Sequence, residues 1–262
     1  MSGALELIAV AERCVKQAAD LVRQRGEERP AVWSKSETDQ VTAVDLAVER
    51  LLREELRAAV PGSAIVGEEL APTAGTSVTW YVDPIDGTSN FLRGLPIAAI
   101  SIGAAVDGEI VAGCVLDLFR DECFTGGPDV PLRVRSAGLR PVPGEGARPL
   151  VLTDVPLPNS TRSGEIEFLG ELLARAEVRR VYSTALSLAW VAAGRADIAC
   201  NLGIYPWDVA AGAALVRSVG GVFVPIGGDD VHAPGFVAAR DEAPRPMTEW
   251  ITGRLREIAE TG

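Results

Sequence analysis

Residues 80–91 read Trp-Tyr-Val-Asp-Pro-Ile-Asp-Gly-Thr-Ser-Asn-Phe, an apolar run followed by a polar segment with one glycine. The apolar run predicts a buried strand that carries Asp83 at its end. Pro84 keeps Asp83 extended, because proline disfavours a helical conformation at the residue before it. Asp86 follows three residues after Asp83, so a tight turn can aim both carboxylates at one point. Residues 87–89 then offer N–H groups at a predicted helix start, which attracts phosphate through its unsatisfied donors and its dipole. Carboxylates repel a phosphate unless cations intervene, and oxygen donors without nearby Cys or His favour Mg²⁺ over zinc.

Two further segments place carboxylates at the ends of apolar runs. Residues 65–69 read Ile-Val-Gly-Glu-Glu, and residues 205–212 read Tyr-Pro-Trp-Asp-Val-Ala-Ala-Gly. Each acidic group has a simpler interpretation as a turn residue, a helix cap or a solvated loop charge. The coincidence of three such junctions favours one shared carboxylate site.

Composition narrows the classes of function. The chain has 262 residues with 36 acidic and 25 basic side chains, and its charge of −11 argues against binding nucleic acid or an anionic membrane. No apolar run is long enough to span a membrane, and we expect no signal peptide. The single histidine, His232, disfavours a histidine-rich zinc site or a Ser-His-Asp triad. The four cysteines are scattered and are expected to be reduced, which predicts a cytoplasmic protein.

The first half of the chain shows helical periodicity and then strand patterns. Residues 4–25 repeat apolar side chains at helical spacing, and a second helix is predicted to begin at a capping box formed by Thr42 and Asp45. Asp107-Gly108 lies between two apolar runs and predicts an antiparallel hairpin.

The segment 126–149 is rich in Gly, Pro and Arg, and it predicts a domain boundary near residue 140. Beyond it, strand and helix patterns alternate. We therefore predict an α+β domain over residues 1–140, with an antiparallel sheet and most of the metal ligands, and an α/β domain over residues 141–262.

Together these motifs resemble the inositol monophosphatase-like family of magnesium-dependent, lithium-sensitive phosphatases. The matching residues are Gly67-Glu68-Glu69, Asp83-Pro84-Ile85-Asp86-Gly87-Thr88 and Trp207-Asp208-x-Ala-Ala-Gly, with Lys35 and Asp39-Gln40-Val41-Thr42-x-x-Asp45 upstream. The resemblance covers nearly the whole chain. It implies a mixed α/β fold, the five-layer α/β/α/β/α sandwich, commonly assembled as a homodimer.

The resemblance also implies roles for individual residues. Two or three Mg²⁺ ions would be held by four side chains and one carbonyl: Glu68, Asp83, Asp86, Asp208 and the carbonyl of Ile85. Asp45 would reach a third ion through water, and Lys35 joins the catalytic group through its place in the N-terminal motif. Glu68 and Thr88 would position and activate the attacking water, while the N–H groups of Gly87 and Thr88 would hold the phosphate.

The expected function is hydrolysis of a small phosphorylated metabolite by a Mg²⁺-dependent phosphomonoesterase. The predicted substrate contacts are Asp86, Gly87, Thr88, Ser183, Thr184, Ala185, Asn201 and Asp208. In inositol-processing relatives a glutamate stands six residues before the motif tryptophan, where this chain has Asn201. The candidate substrates are therefore a polyol, sugar or cyclitol phosphate such as inositol 1-phosphate, histidinol phosphate, or the 3′-phosphate of an adenosine bisphosphate. The alternatives from other classes are a catalytically silent phosphate-binding regulatory protein and a structural domain whose carboxylates are only caps.

Overall fold

The computed structural model describes residues 3–26, 32–34, 40–135, 148–158, 160, 164–241 and 243–260. Its helices are α1 (Ala4–Gly26), α2 (Ala43–Ala59), α3 (Thr88–Leu92), α4 (Glu165–Arg175), α5 (Thr184–Ala192), α6 (Pro206–Arg217) and α7 (Arg245–Glu260). Its strands are β1 (Val32–Ser34), β2 (Gln40–Thr42), β3 (Ala64–Gly67), β4 (Val78–Asp86), β5 (Ala99–Val106), β6 (Glu109–Asp117), β7 (Glu122–Gly127), β8 (Val130–Arg135), β9 (Leu150–Leu152), β10 (Glu177–Arg179), β11 (Ile198–Leu202), β12 (Val222–Ile226) and β13 (Gly235–Ala239).

Two of the sequence predictions fall outside these described residues. They are the position of Lys35 and the domain boundary near residue 140. The division into two domains therefore stays a prediction. Among the residues that are described, no helix has the length and apolar character needed to cross a membrane.

The elements stack in five layers. Helices α1 and α2 cover one face of a six-stranded sheet ordered β3-β4-β5-β6-β7-β8, and α6 packs on its other face together with α5. These two central helices also contact a five-stranded sheet ordered β10-β9-β11-β13-β12, while α7 and α4 lie on its far side. The central helices consist almost entirely of small and apolar residues, because sheets bury them from both sides. This arrangement confirms the predicted α/β/α/β/α sandwich.

Local signals in the first half of the chain are also confirmed. The N–H of Thr42 donates to Asp45 Oδ2 at 2.9 Å, and the Thr42 side chain accepts from the first turn, which completes the capping box of α2. Asp107 and Gly108 both have positive φ angles, 52° and 89°, as a tight turn between β5 and β6 requires.

Other elements differ from the sequence pattern. Strands β7 and β8 fall within or beside the segment interpreted as irregular. Within the described part of the chain, β8 pairs only with β7, and most of its side chains are exposed. The residues 178–182 predict a strand by their sequence pattern, whereas β10 covers Glu177–Arg179 and Tyr182 has a φ of 51°, which is not an extended conformation. The sequence pattern predicts a helix over 208–218, and the structure begins α6 at Pro206, because proline suits the first turn of a helix.

Close packing of α6 on the first sheet depends on glycine at position 113. A Cβ built on Gly113 of β6 would lie 2.2 Å from the carbonyl oxygen of Ala211 in α6, and backbone cannot yield as a flexible side chain does. We expect Gly113→Ala to lower the free energy of unfolding by about 1–3 kcal/mol through overpacking. Gly170 in α4 is a matched control, because a Cβ there meets nothing within 4 Å. Gly170→Ala should raise the free energy of unfolding by about 0.5–1 kcal/mol. Urea unfolding measures this free energy for both variants, and equal values would contradict the packing role of Gly113.

Candidate metal and phosphate site

Asp83 and Asp86 lie on an irregular stretch of β4. The pairing of β4 with β5 shifts register between these two residues, so the strand bulges there. Pro84 has no N–H to give to the ladder, and the N–H of Ile85 donates to Asp83 Oδ1 at 3.0 Å. The bulge places two buried carboxylates at the end of one strand.

Asp83 is the centre of a group of carboxylates. Burial is the main cause that raises the pKa of Asp83 well above the usual range of an aspartate. The negative charges that raise this pKa further come from the ends of β3 and β4 and from the first turns of α6 and α2: Glu68, Asp86, Asp208 and Asp45. The fold therefore brings together carboxylates from widely separated parts of the sequence.

Asp86 connects β4 to the start of α5. Its Oδ2 accepts the hydroxyl of Ser183 and the N–H of Ala185, the latter at 2.8 Å, and its Oδ1 accepts the N–H of Thr184 at 3.2 Å. Burial raises the pKa of Asp86 to about 6 in spite of these donors. The three residues predicted to border the substrate are thus held directly against a predicted metal ligand.

Thr88 lies between Asp45 and the Ile85 carbonyl. Its hydroxyl is 3.2 Å from Asp45 Oδ1 and 2.9 Å from the Ile85 oxygen, and it can donate its single proton to only one of them at a time. Asp45 is buried, and burial raises its pKa. Gly87 precedes Thr88 with a φ of 92°, and a Cβ there would come within 3.0 Å of two carbonyl oxygens. Glycine is therefore required at the predicted phosphate-binding turn.

Glu68 follows β3 in a loop that a second glutamate supports. Glu49 of α2 is buried, and its two oxygens accept the N–H groups of Glu69 at 2.7 Å and Leu70 at 3.2 Å. The guanidinium of Arg53 donates to the same side chain at 2.7 Å. Sequence reasoning missed Glu49, because a glutamate inside an amphipathic helix carries no signal that it turns inward.

Asp208 caps the first turn of α6. Its Oδ2 accepts the N–H of Tyr205 at 2.7 Å, and the Tyr205 ring stacks on Trp207 with centroids 4.9 Å apart. Asp86 accepts N–H groups of the distant helix α5, whereas Asp45 and Asp208 cap the helices in which they lie, so the simpler interpretation as helix caps describes the contacts of those two residues. It does not exclude a shared site, because the same three charges surround Asp83.

The described residues contain no group of three Asp, Glu, His or Cys side chains arranged to hold a metal ion without rearrangement. The chemistry of the carboxylate group nevertheless fits a hard divalent cation. Its atoms are all oxygens, which Mg²⁺ prefers, and a cation would relieve the repulsion that raises the pKa of Asp83.

A cavity of about 430 Å³ opens beside these carboxylates. Asp86, Asp208 and Thr184 line one part of it, and Asn201 and Asp154 line another. Asp154 was missed by sequence reasoning, although it follows the apolar residues of β9 in the same strand-to-carboxylate pattern as Asp83. A second cavity of about 470 Å³, between α7 and the β12–β13 edge, contains none of the predicted site residues.

Comparison with known proteins gives the same family as the sequence motifs. The model of the inositol monophosphatase family matches residues 4–260. Inositol-1-monophosphatase of Mycobacterium bovis is 38% identical over 239 residues, covering 82% of each chain. Nus factor SuhB of Escherichia coli strain K12 is 33% identical over 265 residues, covering 97% of each chain.

Solved structures agree with this assignment. Mycobacterium tuberculosis SuhB superposes with a TM-score of 0.78 at 31% identity and covers the whole of both chains. The extragenic suppressor protein suhB from Bartonella henselae gives a TM-score of 0.82 at 27% identity, covering 96% of this chain and 98% of the other. The chain belongs to the inositol monophosphatase family, whose members are generally metal-dependent phosphoric monoester hydrolases.

Proposed function

We propose that this protein is a Mg²⁺-dependent phosphomonoesterase that hydrolyses a small polyol, sugar or cyclitol phosphate such as inositol 1-phosphate. The observation that supports it most is the convergence of carboxylate charge on the buried Asp83, beside a cavity of about 430 Å³. A cavity of this size suits a small metabolite. Membership of the family supports phosphoric monoester hydrolysis as the reaction. The negative charges around Asp83 favour a divalent cation, which would compensate them.

The proposed ligands of two or three Mg²⁺ ions are Glu68, Asp83, Asp86, Asp208 and the carbonyl of Ile85, with Asp45 acting through water. Bound Mg²⁺ supplies Lewis-acid charge, which makes water nucleophilic at neutral pH and stabilises the leaving oxygen. Gly87 and Thr88 hold the phosphate through their N–H groups. Glu68 accepts a proton from the attacking water, and the Thr88 hydroxyl orients that water. Lys35 is proposed to assist from the N-terminal motif.

Substitution of Thr88 tests its orienting role. Thr88→Val keeps the shape of the side chain and removes the hydroxyl that lies 3.2 Å from Asp45 and 2.9 Å from the Ile85 oxygen. We expect kcat to fall roughly a hundredfold, with little change in KM. Thr88→Ser is the matched control and should keep most of the activity. Equal kcat values for Thr88→Val and the unmodified protein, measured by phosphate release, would remove Thr88 from the mechanism.

A panel of phosphate esters tests the function itself. Inositol 1-phosphate, histidinol phosphate and 3′-phosphoadenosine 5′-phosphate are assayed with Mg²⁺, with EDTA, and with added Li⁺. The proposal expects Mg²⁺-dependent release of phosphate that Li⁺ inhibits, with the highest kcat/KM for a polyol or cyclitol ester. Release from none of the esters despite measured Mg²⁺ binding would favour the catalytically silent phosphate-binding alternative.

We also propose that the protein is a cytoplasmic homodimer. Leu95 lies shortly before β5 and Phe119 shortly after β6, and they expose 47% and 45% of their surface. The four cysteines are free thiols, as a reducing compartment would keep them. We expect Phe119→Asp to convert a dimer to a monomer in sedimentation velocity, while Leu5→Asp, at an exposed site on α1, leaves the mass unchanged. A monomeric unmodified protein would contradict the proposed dimer.

A further inference from the structure

Asp154 lines the cavity of about 430 Å³ and is not one of the proposed metal ligands. Its side chain is 5% exposed. Oδ1 accepts the N–H groups of Val181 at 2.9 Å and Tyr182 at 3.0 Å, and Oδ2 accepts Asn201 Nδ2 at 3.3 Å. Burial raises the pKa of Asp154, while these donors and the nearby Arg180 oppose that shift and favour the ionised form.

Asn201 also holds Asp154 in place, through hydrogen bonds to its backbone and to its side chain. The Asn201 Oδ1 accepts the backbone N–H of Asp154 at 2.6 Å, and its Nδ2 donates to the Asp154 carboxylate and to Thr184 Oγ1, each at 3.3 Å. Thr184 in turn donates its N–H to Asp86. The pair is therefore connected to the metal-ligand side of the cavity through one intervening residue. Asn201 uses both of its polar atoms within the protein, and Asp154 is the acidic group among the residues that line this part of the wall, with Arg180 bound to its backbone carbonyl.

The charge of Asp154 is expected to persist when ions occupy the carboxylates around Asp83. Its contacts are N–H donors on the loop before α5 and a carboxamide, and none of them belongs to the proposed ligands. A leaving group in this cavity therefore meets a negative charge on the side away from the ions. A hydroxyl or an ammonium group can donate to it, whereas a second phosphate is repelled.

We propose that Asp154, held by Asn201, selects substrates with a single phosphate whose leaving group carries hydroxyl or ammonium donors, and discriminates against leaving groups that carry a second anion. The inference rests on the proposed phosphatase function and specifies its substrate class. It places cyclitol, sugar and amino-alcohol monophosphates ahead of bisphosphates. For an anionic group about 6 Å from Asp154 in a partly hydrated cavity, Coulomb repulsion gives a preference of roughly tenfold.

The test compares two esters that differ only in one phosphate. The kcat/KM values of inositol 1-phosphate and inositol 1,4-bisphosphate are measured with Mg²⁺ for the unmodified protein, for Asp154→Asn, and for the exchange D154N/N201D. We expect Asp154→Asn to reduce the preference for the monophosphate roughly tenfold. The exchange keeps one carboxylate against one carboxamide at the same place, so it should restore most of the preference.

Several outcomes would overturn the proposal. If Asp154→Asn lowers kcat/KM equally for both esters, Asp154 only supports the loop before α5. If the exchange variant keeps its thermal stability and does not recover the preference, the charge is not the selecting feature. Failure of the phosphatase proposal is seen separately, as no phosphate release from either ester. In that case the ratio of the two dissociation constants with Mg²⁺, measured by isothermal titration calorimetry for the same three proteins, decides the role of Asp154.

Discussion

Asp83→Asn should abolish phosphate release and at the same time stabilise the metal-free protein. The side chain is buried, and four other carboxylates surround it. Asparagine keeps an oxygen for the Ile85 N–H that lies 3.0 Å away, and it removes the charge at the centre of the group. Loss of this proposed metal ligand is expected to lower kcat/KM at least about a thousandfold. Removal of a repelled buried charge should raise the free energy of unfolding by about 1–2 kcal/mol at neutral pH.

The opposite directions of the two effects make this variant informative. A substitution that merely damages the fold lowers activity and stability together. Asp197→Asn serves as the matched control, because Asp197 accepts the N–H of Leu150 at 2.8 Å and does not line the cavity. It removes one negative charge from the chain and should leave phosphate release unchanged. Turnover by Asp83→Asn within a factor of about ten of the unmodified protein would refute the assigned site.

Mg²⁺ should stabilise the protein far more at pH 8 than at pH 5. The folded state raises the pKa of Asp86 to about 6, above the value near 3.9 expected in the unfolded chain, and it also raises the pKa of Asp83. Both groups therefore contribute most to stability below about pH 4. The contribution of Asp86 is lost as pH rises through about 6, and the contribution of Asp83 is also lost as pH rises. For Asp86 the loss is about 3 kcal/mol.

Metal binding should reverse that loss, because the ion binds the ionised carboxylates and competes with protons. With Mg²⁺ at about a hundredfold excess over its dissociation constant, the gain is about 3 kcal/mol at pH 8. Differential scanning calorimetry with MgCl₂ or EDTA at constant ionic strength measures the Tm difference at each pH. Equal Mg²⁺-induced shifts at pH 5 and pH 8 would show that Asp83 and Asp86 do not take part in binding. Asp83→Asn should largely remove the pH 8 shift.

Short-range sequence motifs predicted helix starts and turns in this protein correctly. Thr42 and Asp45 specify a helix start, and Asp107-Gly108 specifies a turn, because each signal acts between residues a few positions apart. Strand β8 was missed although Val130, Leu132 and Val134 alternate with polar residues or proline, because this short run stands in a segment rich in Gly, Pro and Arg. Sequence pattern alone could not tell whether Asp208 serves only as a helix cap or also belongs to a shared site.

Asp154 and Glu49 show what local patterns cannot specify. Glu49 turns inward to hold the loop after β3, and Asp154 enters the cavity because β9 lies beside β11 in the second sheet. The sequence by itself determined the alternation of helices and strands and the identity of most acidic site residues, since periodicity and motif spacing are properties of the chain. The resemblance of its motifs to a known family supplied the layered fold class. Only the tertiary structure decided that these charges surround Asp83 and which wall Asp154 occupies. Burial and repulsion between distant residues arise when the sheets and the central helices pack together.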